Sequence, residues 1–301
     1  MCLIETKNLT KKFRDHKAVK NVSLTIREGV CTALLGPNGA GKTTTLNLLT
    51  GLIKPSNGHI SFHQAYPGDR RKFIGYLPQS PQFYNWMSGI EYTIFAAELA
   101  GMNRPLAKEK AHEVLTLVGL LEAKNKKIAG YSGGMKQRLG IAQALVHEPK
   151  LIILDEPVSA LDPIGRRDVL ELMRRLKSQT SILFSTHVLH DAEEISDDIY
   201  IMKKGEVVIG GSLKELKKNH QQSIIFIETE KNNDSWVQKV KGHPWVEDVK
   251  YHKGTITLEV KSLNQAREWL LHDQDLHDLN IERFEVAKTS LEDLFMKVAI
   301  R

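Results

Sequence analysis

From residue 30 onward the chain sets short, unbroken apolar runs against polar or small residues: Cys31 to Leu35, Phe73 to Leu77, Leu151 to Leu154 and Ile182 to Phe184. Runs of this length, separated by helical periodicity, predict strands of a parallel sheet buried on both faces. Ahead of them, residues 3–28 alternate strand-like pieces with polar turns, as an antiparallel edge region does. Two helical stretches, near 88–101 and 105–119, lie between the second and third runs and are punctuated by Gly101, Pro105 and Gly119. They predict a helical insertion, about residues 83–130, into an α/β core. A further helix over about 164–178 has Asp162 placed as N-cap and Pro163 at its first position.

Beyond residue 219 the texture changes. Strand patterns over 224–230, 246–251, 254–260 and 279–286 interleave with helical ones near 234–241 and 263–272, giving the order βαββαβ. Leu291, Leu294, Phe295 and Val298 then recur at helical spacing, which predicts an amphipathic terminal helix. Trp236, Trp245 and Trp269 read as core or domain-interface residues. The charge changes at the same place. The 301 residues carry a net +6, yet residues 220–301 hold 11 Lys and Arg against 14 Asp and Glu, so the basic excess lies wholly in 1–219. The expected division is therefore 1–219 and 220–301. A basic first part is compatible with nucleic acid, an anionic membrane surface or a nucleotide.

Composition removes several classes. Cys2 and Cys31 are the only cysteines, too few for a disulfide framework or a zinc cage. No apolar run reaches about 18 residues and no leader pattern opens the chain, so it is not expected to span a membrane itself.

Two helix starts are built to hold anions. In "GPNGAGKTT", Gly36, Pro37, Asn38, Gly39, Ala40, Gly41, Lys42, Thr43 and Thr44 match the P-loop pattern, directly after a buried strand and opening a helix. Backbone N–H groups of the loop can cradle phosphates, Lys42 can reach the β- and γ-phosphates of ATP, and Thr43 can ligate Mg²⁺. Ligands of open parallel sheets bind beyond the carboxyl ends of the strands, and four polar groups stand there. Asp155 suits a hold on Mg²⁺ through water, and Glu156 a general base or orienter of the attacking water. His187 is placed to bond the γ-phosphate, and Gln79 to touch the metal or the water. The second start is "YSGGMKQR", residues 131–138, where Ser132 can cap a helix and Gly133 and Gly134 let a ligand approach its free N–H groups.

Taken together, "GPNGAGKTT", "YLPQ", "YSGGMKQR", "LIILDEP", "SALDP" and "STH" resemble, in order, the Walker A, Q-loop, signature, Walker B, D-loop and switch-histidine motifs of ABC transporter nucleotide-binding subunits. The likeness covers about residues 3–215. It implies an α/β fold, a P-loop NTPase with a mixed sheet, an N-terminal antiparallel β subdomain and a helical insertion, to which the pattern beyond residue 219 adds a small C-terminal α+β domain. It also implies a dimer, of two copies or of paired ATPase subunits, that sandwiches two ATP molecules. Each ATP would then meet the P-loop of one subunit and, in trans, Ser132, Gly133, Gly134 and Asp162 of the other. Integral membrane permease subunits would dock on the helical insertion, keeping the chain peripheral on the cytoplasmic face of the cell membrane. Phe13 falls where the family sets an aromatic that stacks on adenine, with an ordinary strand aromatic as the competing reading. "QFYNWM" is either part of the docking surface or packing for the insertion's own core.

Two residues depart from the usual Leu-Ser-Gly-Gly-Gln: Tyr131 replaces the leucine and Met135 the glutamine. The ending "TSLEDLFMKVA" is similar to ATPases of ABC-2 type exporters, which serve drugs, antimicrobial peptides, polysaccharides or lipids. A competing class is a soluble ABC-type ATPase acting on ribosomes or nucleic acid. Soluble translation-type members carry two ATPase domains and repair types a long coiled coil, and this chain has neither, so no nucleic-acid partner is expected.

Overall fold

A computed structural model describes residues 1–219, 223–230, 234–252, 254–287 and 290–299. The chain divides into two compact units, Met1–Lys214 together with Phe295–Arg301, and Glu215–Leu294.

The first unit begins with β1 (Cys2–Phe13), β2 (His16–Val22) and β3 (Thr25–Arg27). Then follow β4 (Cys31–Leu35), α1 (Lys42–Thr50), β5 (Asn57–Phe62) and β6 (Ile74–Leu77). Next come α2 (Gly89–Leu99), α3 (Arg104–Leu117), α4 (Gly133–Leu145), β7 (Leu151–Asp155) and α5 (Pro163–Leu176). The unit closes with β8 (Ser181–Thr186), α6 (Leu189–Ile195), β9 (Asp198–Lys203) and β10 (Glu206–Ser212), before α7 (Leu213–Asn219). All four apolar runs are strands of one six-stranded sheet in the order β10-β9-β4-β8-β7-β6. Five of its strands are parallel and β10 runs antiparallel beside β9, so the sheet is mixed. Every residue of β4, β7 and β8 is buried, as expected of strands covered on both faces. A second, antiparallel sheet joins β2, β1 and β3, with β5 on the other edge of β1.

α2 and α3 form the insertion between β6 and β7. Ser88 closes a capping box with Glu91 at the start of α2, and Asn103 caps α3 with Pro105 in its first turn. α4 lies hard against β6: a Cβ on Gly75 would stand 1.9 Å from the Ala144 carbonyl oxygen, so only glycine permits this approach. Tyr92 of α2 donates from its hydroxyl to Gln143 of α4 at 2.8 Å. The aromatic entry to the insertion divides. Phe83 stacks edge-on against Tyr92 with centroids 5.1 Å apart, whereas Tyr84 and Trp86 are 51% and 68% exposed.

The second unit contains β11 (Ile224–Thr229), α8 (Asp234–Lys241), β12 (Val246–His252), β13 (Thr255–Val260), α9 (Leu263–His272), α10 (Gln274–Asp278) and β14 (Ile281–Val286). Its antiparallel sheet has the order β12-β13-β11-β14, the split βαβ arrangement. Ile225, Ile227, Ile256 and Leu258 alternate inward from the two central strands, and Trp236 and Trp245 are buried with them, while Trp269 packs at the edge of that core beside Trp245. The chain ends in α11 (Leu291–Ala299), with Leu291 and Leu294 fully buried and Phe295 half-buried. The side chain of Val298 lies outside the described residues.

Candidate active site

The loop between β4 and α1 is shaped by glycine. Gly41 takes φ +102°, and a Cβ there would stand 2.5 Å from the Ala18 carbonyl oxygen, so a side chain is excluded by conformation and by space. α1 starts on this residue with no side-chain cap, which leaves its first N–H groups directed outward. Residues Asn38 to Thr44 line a cleft of about 390 Å³ together with His16, Ala18, Gln79 and Glu156. Gly36 and Pro37 lie behind it, their carbonyls accepting from Lys42 Nζ at 2.8 and 3.3 Å.

Glu156 turns into that cleft through an unusual backbone. The residue follows the last position of β7 at φ +51°, a left-handed conformation that costs a non-glycine residue about 1 kcal/mol or more. Ser185 of β8 holds it there. Its Oγ accepts the Glu156 N–H at 2.9 Å and donates to Asp155 Oδ1 at 2.5 Å. The Glu156 carboxylate then meets two partners, Lys42 Nζ at 3.2 Å on one oxygen and His187 Nδ1 at 2.7 Å on the other. Lys42 and Glu156 side chains are each only 6% exposed, whereas that of His187 is 44% exposed. A buried pair of this kind persists because each ion is the other's compensation.

Asp155 is fully buried and its Oδ2 has no hydrogen-bond partner. A buried carboxylate oxygen so left is costly, and the chemistry that satisfies it is a cation or its bound water.

The strand-end groups thus gather as expected: Gln79 and Glu156 in the cleft, Asp155 beneath it, and His187 joined to Glu156. Phe13, at the end of β1, lies outside the cleft's lining; it is 47% exposed with Lys11 Nζ 5.0 Å from its ring centroid. Its register partner His16 is the one that lines the cleft. Sequence reasoning missed His16 and Ser185. The signal for Ser185 was a hydroxyl residue directly after the apolar run Ile182 to Phe184, two positions before His187.

The second helix start is elsewhere and is made differently. Ser132 accepts the Met135 N–H at 3.3 Å as the N-cap of α4. Ser132 and Gly133 are exposed and Gly134 is half-exposed. A Cβ on either glycine would meet nothing within 4 Å. Asp162 uses its carboxylate to cap α5, accepting the Gly165 N–H at 2.8 Å.

Comparison with known proteins gives this geometry its family. The pattern of the family described as ABC transporter matches residues 19–159, and that of the C-terminal domain of DrrA1-3-like ATP-binding proteins matches residues 211–299. The ABC transporter ATP-binding protein YxlF of Bacillus subtilis is 48% identical over 297 residues, covering 98% of this chain and 99% of its own. The chain belongs to the ABC transporter ATP-binding proteins. As such a subunit it binds and hydrolyses ATP to drive transport. The bacitracin transport ATP-binding protein BcrA of Bacillus licheniformis is 32% identical, covering 98% of this chain and 97% of its own. Among solved structures, the ATP-binding cassette MJ0796, a dimer bound to ADP and Pi, superposes with a TM-score of 0.62 at 28% identity, covering 70% of this chain and 99% of that one. The relatives favour the transporter reading over an ATPase acting on ribosomes or nucleic acid. Among the described residues no helix is long and apolar enough to cross a membrane.

Proposed function

We propose that this chain is the ATPase subunit of an exporter, working as a pair on the cytoplasmic face of the membrane against separate permease subunits. The observation that carries the reading is the cleft in which the P-loop, Gln79 and Glu156 meet. ATP enters with its phosphates on the α1 N-terminus, where the loop's N–H groups and Lys42 bind them. Glu156 orients and deprotonates the attacking water, and His187, bonded to it, turns toward the γ-phosphate. Thr43, Gln79 and Asp155, whose Oδ2 lacks a partner, would hold Mg²⁺ directly or through water. When bound, that ion would neutralise charge building on the phosphates. Phe13 contributes a ring for the adenine.

The second jaw is the α4 N-terminus of the partner copy. Its exposed Ser132 and Gly133 and half-exposed Gly134 present N–H groups open to an anion, and Asp162 stands at the start of the neighbouring α5. Closure on ATP would be passed to the permease through the insertion, where Tyr84 and Trp86 offer exposed aromatic surface. Residues 1–219 form the ATP-binding domain in this reading and 220–301 an accessory domain. Export rather than import rests on the ending "TSLEDLFMKVA" and on the likeness to a bacitracin transport and a linearmycin resistance ATP-binding protein, and a drug, peptide, polysaccharide or lipid is the expected cargo.

The test is recovery of the tagged chain from detergent-solubilised membranes with a membrane-spanning subunit, and an ATPase that ignores nucleic acid. Salt-sensitive stimulation by RNA or DNA overturns the reading.

A further inference from the structure

Tyr131 stands where the family's usual motif has leucine, and the reaction as derived gives it no task. The residue is 6% exposed, and its phenol donates to the Ala123 carbonyl at 2.8 Å. Burial pushes the phenol's pKa up, which keeps it a donor. On its other side the hydroxyl sits against Gly89, the first residue of α2. A Cβ at Gly89 would stand 2.2 Å from the Tyr131 hydroxyl oxygen and 3.2 Å from the ring carbon that bears it. Leucine has neither the reach nor the oxygen to make these contacts. Tyrosine at 131 and glycine at 89 are therefore one choice made at two positions.

The pair closes a strap. Three backbone hydrogen bonds join residues 85–90 to 124–129: Ile90 N–H to Lys124, Met87 carbonyl to the Ile128 N–H, each at 2.9 Å, and Asn85 carbonyl to the Ala129 N–H at 3.1 Å. One end of the strap carries the exposed Tyr84 and Trp86. Its other end is Tyr131, one residue before the cap of α4.

We propose that Tyr131 is a positioning residue for the α4 N-terminus. Its phenol, bonded to Ala123 and seated on Gly89, fixes the angle at which Ser132, Gly133 and Gly134 meet the partner's ATP, and ties that angle to the segment bearing Tyr84 and Trp86. The proposal rests on the reading of α4 as the second jaw of the site.

The test uses the full chain with Tyr131→Phe, Tyr131→Leu, Gly89→Ala, the double variant Gly89→Ala/Tyr131→Leu, and Gly133→Ala as a control. Three quantities are measured: nucleotide affinity at subunit concentrations too low for pairing, the subunit concentration needed for ATP-driven association, and kcat against KM. Tyr131→Phe is expected to raise the association midpoint about fivefold, the size of one net hydrogen bond, and leave the lone subunit's nucleotide affinity unchanged. Gly89→Ala costs about tenfold or more, and adding Tyr131→Leu recovers most of that loss although each change alone is harmful. Additive losses, a Tyr131→Phe indistinguishable from the parent chain, or a fall in lone-subunit affinity matching the fall in association would each overturn the proposal. Should Gly89→Ala not fold, Tyr131→Phe and Tyr131→Leu decide alone. Gly133→Ala separates the two levels. Normal association by that variant removes the second-jaw reading itself, whereas loss there with normal Tyr131 variants removes only the role of Tyr131.

Discussion

The N-termini of α1 and α4 are both helix starts set beside glycines, yet they are finished to different degrees. At α1 the loop is pressed against neighbouring backbone at Gly41, and Lys42, Gln79 and Glu156 surround the cleft. At α4 the cap is an ordinary serine, the glycines face open space, and the described contacts point back into the insertion through Tyr131. A site whose walls all come from one chain can bind alone. One that offers donors and no walls would, in the proposed pairing, acquire its meaning from a second molecule, and ATP hydrolysis would then report on whether two subunits have met.

Substitutions can break this contrast, and the largest effect is expected at Glu156. Glu156→Gln keeps the site's shape and should lower turnover by about 10²–10⁴-fold with ATP still bound; near-normal hydrolysis in a steady-state assay removes Glu156 from its role. Lys42→Ala comes next. It strips the phosphates of a cation and leaves a buried carboxylate with His187 alone, so a nucleotide titration should show a loss of tenfold or more and the melting midpoint should fall. The sharpest comparison pairs two glycines. Gly41→Ala, strained in φ and in contact with Ala18, should destabilise the folded subunit by about 1–3 kcal/mol in a denaturant titration. Gly134→Ala should leave that titration unchanged and still depress turnover, because its methyl meets only the partner. A Gly134→Ala variant as unstable as Gly41→Ala would erase the distinction.

The smallest effect lies at the far end of α4. His147 is held neutral by burial, its pKa lowered from 6.5, with Nε2 3.2 Å from the Ile74 carbonyl oxygen. The unfolded chain takes up the proton first, so the group's stabilisation is intact above about pH 6.5 and falls as pH drops below it. His147→Gln should flatten that acid-side loss in melting curves taken between pH 7 and 5, with turnover at neutral pH little changed.

Much of this was legible before any coordinates. The four apolar runs, the caps Asp162, Ser132 and the Pro163 start, and the βαββαβ order all follow from local patterning, which depends on neighbours a few residues away. β5, β9 and β10 escaped because "NGHISF" and "DIYIMKKGEVVIGG" mix polar and apolar positions over short spans; they are strands because β1, β4 and β9 respectively offer them an edge. Site chemistry divides in the same way. The P-loop, Asp155, Glu156 and His187 announce themselves by residue type at strand ends. His16 and the match of Tyr131 to Gly89 exist only through contacts between segments far apart in the chain, and no local pattern encodes those, whereas Ser185 left only the faint signal of a hydroxyl beside an apolar run.

The ion pair between Lys42 and Glu156 sets an order of events. Both groups are almost wholly shielded from water, so parting them leaves the lysine an uncompensated charge in a poor solvent for it and the carboxylate with His187 alone. In the proposed reaction, an arriving phosphate that claims the lysine would be the same event that frees the carboxylate to take a water. On that reading the base would be armed by the substrate, and a subunit without its fuel would keep the carboxylate sheathed.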